Sequence, residues 1–109
     1  MRKTYIGELE EIVLLMTVLL QEDAYGVAIT QEIEKQLNRT ISVSAVHATL
    51  HRLGEKGYVS SYLGGATAER GGRSKRFFKS TVAGSKVLRK LQEDRELIWG
   101  QLPPNAMPI

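Results

Sequence analysis

Residues 44–80 read SAVHATLHRLGEKGYVSSYLGGATAERGGRSKRFFKS, and this stretch decides the architecture. Ser44 is placed to cap a helix in which Val46, Leu50 and Leu53 form an apolar stripe, and Gly57 is the residue type that ends helices in a left-handed turn. The pattern predicts a helix over Ala45–Lys56. Its opposite face carries Ser44, Ala48, His51 and Glu55, flanked by Ala45, His47 and Arg52, a surface low in bulk at its start and rich in hydrogen-bonding groups. Tyr58–Leu63 and Lys75–Ser80 are β-branched and aromatic, and Gly64, Gly65, Gly71 and Gly72 lie between them. They read as a hairpin with a long flexible tip that bears Arg70 and Arg73.

Upstream, Leu9, Ile12, Val13, Met16, Leu19 and Leu20 recur at helical spacing behind the acids Glu8, Glu10 and Glu11, which suit the positive end of a helix dipole. Leu14, Leu15 and Val18 fall outside that stripe, so this first helix is apolar around more of its circumference than one small domain covers. After the polar break at Glu22 and Asp23, the repeat of Tyr25, Ile29, Ile33 and Leu37 predicts a second helix ending near Asn38. Arg39–Val43 is a short connector. Downstream, Thr81 caps a predicted helix over Val82–Leu102, about 30 Å long and stopped by Pro103 and Pro104. Leu88, Leu91, Ile98 and Leu102 line one seam of it, as in a coiled coil. With Leu14, Leu15, Val18 and Trp99 they make the expected surface for a second copy of the chain. The expected organisation is therefore a helix-and-hairpin unit at 1–80, a dimerisation helix at 81–102 and a disordered tail at 103–109.

The whole chain, 109 residues with 42% hydrophobic and 25% charged, suits one domain with its own core. It has no cysteine, which excludes disulfides, thiolate metal sites and cysteine nucleophiles and fits a reducing cytoplasm. The net charge of +3 conceals an asymmetry: Glu69–Lys90 carries +7 and the remainder −4. A solvated charge run is the plain reading, but a local field of this size attracts polyanions such as nucleic acid. The longest apolar run, Ile12–Leu20, is too short for a bilayer span of about twenty residues, and no signal-peptide cleavage pattern follows it. A cytoplasmic location is expected, with no membrane partner.

Three helices with a tight connection before the third, followed by an arginine-loaded hairpin, are the order of a winged helix-turn-helix. The expected class is mainly α with a small β-hairpin, extended by a long C-terminal dimerisation helix. The third helix enters a major groove only if its leading residues are small. Ser44, Ala45 and Ala48 meet that need, and His47 and His51 offer donors to base edges. Arg52, Arg70, Arg73, Lys75 and Arg76 are expected at phosphates, and Tyr25 packs with its hydroxyl at the backbone.

At these residues the chain resembles the PadR family of bacterial transcriptional regulators. The resemblance runs from Gly7 to about Lys90, through Leu9–Leu15, Asp23–Val27 and Ile29, then Val46, Leu50, Arg52, Leu53, Glu55–Gly57 and Val59. It continues through Gly71–Arg73, the pair Phe77 and Phe78, and Thr81–Gly84. His47 stands where that family usually has tyrosine, and Gly54 where it usually has a charged residue. The single C-terminal helix is similar to the short subfamily, which implies a homodimer built from the first and last helices and repression at a pseudo-palindromic operator. The plain reading of Trp99 is an aromatic of the dimer core; the same resemblance implies an alternative, a multidrug sensor in which Trp99 and its symmetry mate hold a planar effector at the dimer interface.

His47 and His51 are four apart and could share a metal, but Ala48 stands where a zincin motif has glutamate, and no third ligand follows. No metal, no cofactor and no enzyme activity are expected, since neither a phosphate-cradling glycine loop nor a nucleophile, histidine and acid set is present. The rival reading is a winged-helix module that binds a protein and not DNA, against which the basic hairpin argues.

Overall fold

A computed structural model describes residues 5–64 and 75–107. Helix α1 spans Glu8–Leu20, a short 3-10 turn follows at Gln21–Asp23, and α2 spans Gly26–Leu37. Helix α3 is Val43–Glu55, strands β1 (Val59–Gly64) and β2 (Lys75–Ser80) form the hairpin, and α4 is Val82–Trp99. The strands are antiparallel, with Ser61 opposite Phe78 and Tyr62 opposite Phe77. A single bridge between Tyr25 and Phe77, and the Phe78 N–H donating to the Ala24 carbonyl at 2.8 Å, add the entry to α2 as a rudimentary third strand. The architecture is mainly α with one hairpin, a winged helix-turn-helix.

Helix α3 begins two residues before the expected position. The Ser42 hydroxyl, not that of Ser44, accepts the Ala45 N–H at 3.0 Å, because Ser42 still has extended backbone while Val43 and Ser44 are already helical. At its other end the Gly57 reading holds. Gly57 has φ +81°, and the Tyr58 N–H to Leu53 carbonyl and Gly57 N–H to Gly54 carbonyl bonds close a Schellman turn. Helix α4 is shorter than expected. Gly100 caps it, and Gln101 and Leu102 continue only as i−3 turns before Pro103.

The core is built from Val13, Leu14, Ile29, Ile33, Val46, Leu50 and Leu53, all buried to within 1%. Tyr58, Val59, Phe78 and Val87 close it from the hairpin and α4. Leu14 therefore cannot belong to a surface for a second chain, as its position outside the expected stripe had implied. The buried arc of α1 runs through Glu10, Val13, Leu14, Met16 and Thr17, rotated from that stripe because two polar residues lie inside it. Thr17 satisfies its hydroxyl on the Leu14 carbonyl, and Glu10 is paired as described below. The exposed apolar residues of α1 are Leu15, Val18 and Leu19.

Helix α4 is attached at one tight point. Thr81 donates its hydroxyl to the Gly57 carbonyl at 2.7 Å and accepts the Gly84 N–H at 3.0 Å, so it caps α4 and fastens it to the end of α3. A Cβ on Gly84 would stand 2.2 Å from the Tyr58 carbonyl oxygen, a separation only glycine permits. Further along, Arg95 pairs with Glu11 of α1 at 2.7 Å. The molecule is 58 × 34 × 20 Å.

Candidate nucleic-acid interface

The exposed face of α3 is the one its sequence pattern indicates. Ser44, Ala48, His51 and Glu55 are exposed and Ala45 is half-buried, so its first two turns present little bulk. His51 Nε2 lies 3.3 Å from Glu55 Oε2, an i,i+4 pair open to solvent. His47 is more constrained. A Cβ at position 26 would meet its Nε2 at 2.3 Å, so Gly26 lets the ring lie against the start of α2, and the ring meets Phe78 edge-on at 6.5 Å.

Between α3 and the hairpin runs an open cleft of about 490 Å³, lined among others by His47, His51, Gly54, Ser61 and Arg76. Arg76 donates to the Ser61 hydroxyl at 2.9 Å, which props its guanidinium along the strand pair. A second depression of about 320 Å³, at the start of α2, is lined by Tyr25, Gln31, His47, Lys75 and Arg76 with neighbouring backbone. His47 and Arg76 line both, and join them into one surface. Lys75 Nζ sits 3.8 Å above the centre of the Tyr25 ring, a cation–π contact that holds the ammonium over the α2 entry. Beneath it Tyr25 meets Phe77 edge-on at 5.5 Å and Phe77 stacks on Tyr62 at 5.6 Å, so a row of three rings supports the basic strand. Gln31 and Ser61 were not expected here; both are polar residues whose place depends on contacts between elements.

Arg52, expected at phosphates, has partners within the chain. Its Nε is 3.5 Å from Glu10 and its Nη2 donates to Thr49 at 3.2 Å, on the flank of α3 turned toward α1. Glu10, 6% exposed, also receives Lys56 Nζ at 2.9 and 3.0 Å and the Gly7 N–H at 2.8 Å. Burial pushes the Glu10 carboxyl up, but the Gly7 N–H and the charges of Lys56 and Arg52 outweigh it and hold it below its ordinary value. Arg70 and Arg73 lie outside the described residues.

A second surface lies between α1 and α4. A groove of about 610 Å³ is lined by Leu15, Val18, Leu88 and Trp99, with Glu11 and Arg95 among its polar members. Trp99 is 61% exposed and Ile98 63%, while Leu102 is less so. Leu88 and Leu91 are half-buried against the chain's own core, so part of the expected seam already serves the protomer. Leu97, outside the seam first read from the spacing, and Leu19, inside the stripe first read on α1, extend the exposed apolar area. Among the described residues no group of three or more His, Cys, Asp or Glu could hold a metal, and no helix is long and apolar enough to cross a membrane.

The fold is similar to solved structures of transcriptional regulators. One from Clostridium thermocellum shares 23% identity over 88% of this chain and 93% of its own, with a TM-score of 0.66. A PadR family regulator from Clostridium difficile shares 21% over 86% and 93%, with a TM-score of 0.67. A PadR-like regulator from Bacillus cereus shares 17% over 84% of each chain, with a TM-score of 0.68. At these identities the likeness is one of fold. No curated protein matches the chain. The sequence itself matches the model of the transcriptional regulator PadR-like family over residues 15–90, which span both depressions, the hairpin and the start of α4. By that match this chain, with its slim α3 face beside a basic hairpin, belongs to the PadR-like family of transcriptional regulators and is not an enzyme.

Proposed function

We propose that the chain is a homodimeric repressor that binds a pseudo-palindromic operator in the cytoplasm. In this reading residues 1–80 bind DNA and 81–102 dimerise. The first turns of α3 read the major groove through Ser44, Ala45, Ala48, His47 and His51, while Tyr25, Lys75 and Arg76, with Arg70 and Arg73, hold the neighbouring phosphates. The observation that carries it is the shared surface on which His47 and Arg76 join the α3 cleft to the basic strand. A phosphate ridge flanking a major groove fits such a cleft, with the helix on one side and the hairpin on the other. The test is fluorescence anisotropy with duplex DNA from just upstream of the chain's own gene and with an unrelated duplex of equal length. Preferential binding of the first is expected. Equal affinity for both at every salt concentration would defeat the reading.

A second reading, that an effector relieves binding, is favoured by the groove with Trp99 exposed on its wall. Flat cationic dyes that leave Trp99 fluorescence unchanged would count against it. The protein-interaction alternative is disfavoured by Lys75 and Arg76 on the surface that faces outward beside α3.

A further inference from the structure

Two cations of α3 are drawn onto one buried acid of α1. Glu10 is seated by the Gly7 N–H at the start of α1, and its two carboxylate oxygens receive Lys56 Nζ at 2.9 and 3.0 Å, with Arg52 Nε at 3.5 Å. Lys56 also donates to the Tyr5 carbonyl at 3.1 Å, so the last turn of α3 is gripped by backbone and side chain of the segment before and within α1. On the exposed face of the same helix Glu55 faces His51. Arg52 and Lys56 are thus both paired with Glu10, whereas Lys75 and Arg76 on the hairpin make no ion pair among the described residues.

We infer that Glu10 is a positioning residue for DNA recognition: it fixes the tilt of α3 against α1 and withholds Arg52 and Lys56 from the phosphates. The inference rests on the DNA-binding reading above and assigns a division of labour within it. Arg52 is 52% exposed on the flank of α3, so only its pairing with Glu10, and not burial, keeps its guanidinium from an approaching phosphate. Freed, it would add attraction for every sequence alike, since a cation on phosphate releases counterions whatever the bases are. Held on Glu10, it leaves the choice of site to the uncharged start of α3. The sequence-independent part of the affinity then comes from the hairpin.

The test is Glu10→Gln, which keeps shape and an acceptor oxygen for Lys56 but removes the charge. Affinity for a short mixed-sequence duplex is measured from about 50 to 200 mM salt. The slope of log affinity against log salt should steepen by about 0.9 for each cation released. Over that fourfold range each released cation makes binding about 3.5-fold more salt-sensitive than in the wild type. In the wild-type background Arg52→Gln should leave the slope as it is; in the Glu10→Gln background it should reduce it by about 0.9. A merely structural role for Glu10 would lower stability without steepening the slope, so a folded Glu10→Gln variant with an unchanged or shallower slope overturns the inference. If Glu10→Gln does not fold, Arg52→Gln alone decides: a slope reduced by about 0.9 in the wild-type background shows Arg52 on phosphate and overturns it. Wild-type protein that does not bind this duplex even at low salt defeats the DNA-binding reading itself, and this inference with it.

Discussion

A methyl group separates two glycines of very different consequence. At Gly84 a Cβ would press on the Tyr58 carbonyl oxygen at 2.2 Å, and a backbone atom in the helix-to-strand junction between α3 and β1 cannot step aside cheaply. Gly84→Ala should therefore destabilise the fold by about 2–4 kcal/mol, as overpacking at a buried site does. Calorimetry should find a melting temperature lower by at least about 8 °C. At Gly54 the nearest atom to a Cβ would be Val59 Cγ2 at 4.0 Å, an ordinary contact. Nothing in the packing requires glycine there, and Gly54→Ala should stabilise α3 by about 0.5–1 kcal/mol in the same measurement. Glu10 supplies a pH signature. Its folded pKa lies below its ordinary value of 4.5, so its contribution is complete above that value and is lost as pH falls through the folded one. The stability gap between wild type and Glu10→Gln, measured by urea unfolding, should be constant near neutral pH and close on acidification below about 4.5.

At the scale of elements, what could be read in advance was what local chemistry decides. Thr81 before Val82 and Gly57 after α3 mark their boundaries through bonds to near neighbours, and both were legible. The hairpin strands follow from the aromatic and β-branched runs on either side of the glycines. What was hidden depends on distant partners. The face of α1 was misread because Glu10 and Thr17 are polar yet buried, the first paired with Lys56 at the far end of α3, the second with its own helix. The pairing of Arg52, expected at phosphates, with Glu10 was hidden for the same reason, since that acid lies in another helix. On β2 the reading of Lys75 and Arg76 as phosphate ligands is supported by an orientation that the row of Tyr25, Phe77 and Tyr62 explains. Replacing both by alanine should weaken binding to every duplex and flatten the salt dependence by about 1.8, two phosphate contacts' worth. His51→Ala should instead change which bases are preferred at position-by-position resolution, with the slope nearly unaffected. Anisotropy titrations across salt and against a panel of single-base variants separate the two results.

For the whole molecule the question is what covers the apolar strip that α1 and α4 leave open. Leu15, Val18 and Leu19 on one helix and Leu97, Ile98 and Trp99 on the other are exposed, and Leu15, Val18 and Trp99 line the groove between the two helices, the kind of apolar surface that marks a contact site. A second copy suits it, because a two-fold dimer presents two α3 helices and can match half-sites one helical turn apart, about 34–36 Å. In the proposed dimer the second half-site is bound at an effective concentration fixed by the dimer and not by the solution, which raises the affinity. Leu15→Asp combined with Ile98→Asp places charges on exposed apolar positions of both helices while touching neither the core nor Glu10. Sedimentation should give one chain where the wild type gives two, and the melting temperature should lose its dependence on protein concentration. Affinity for the preferred duplex should fall by about 100-fold or more, with the base preference of the single half-site retained. A double variant that still sediments as two chains, or that binds the full operator undiminished, would place the dimer contact elsewhere on the molecule.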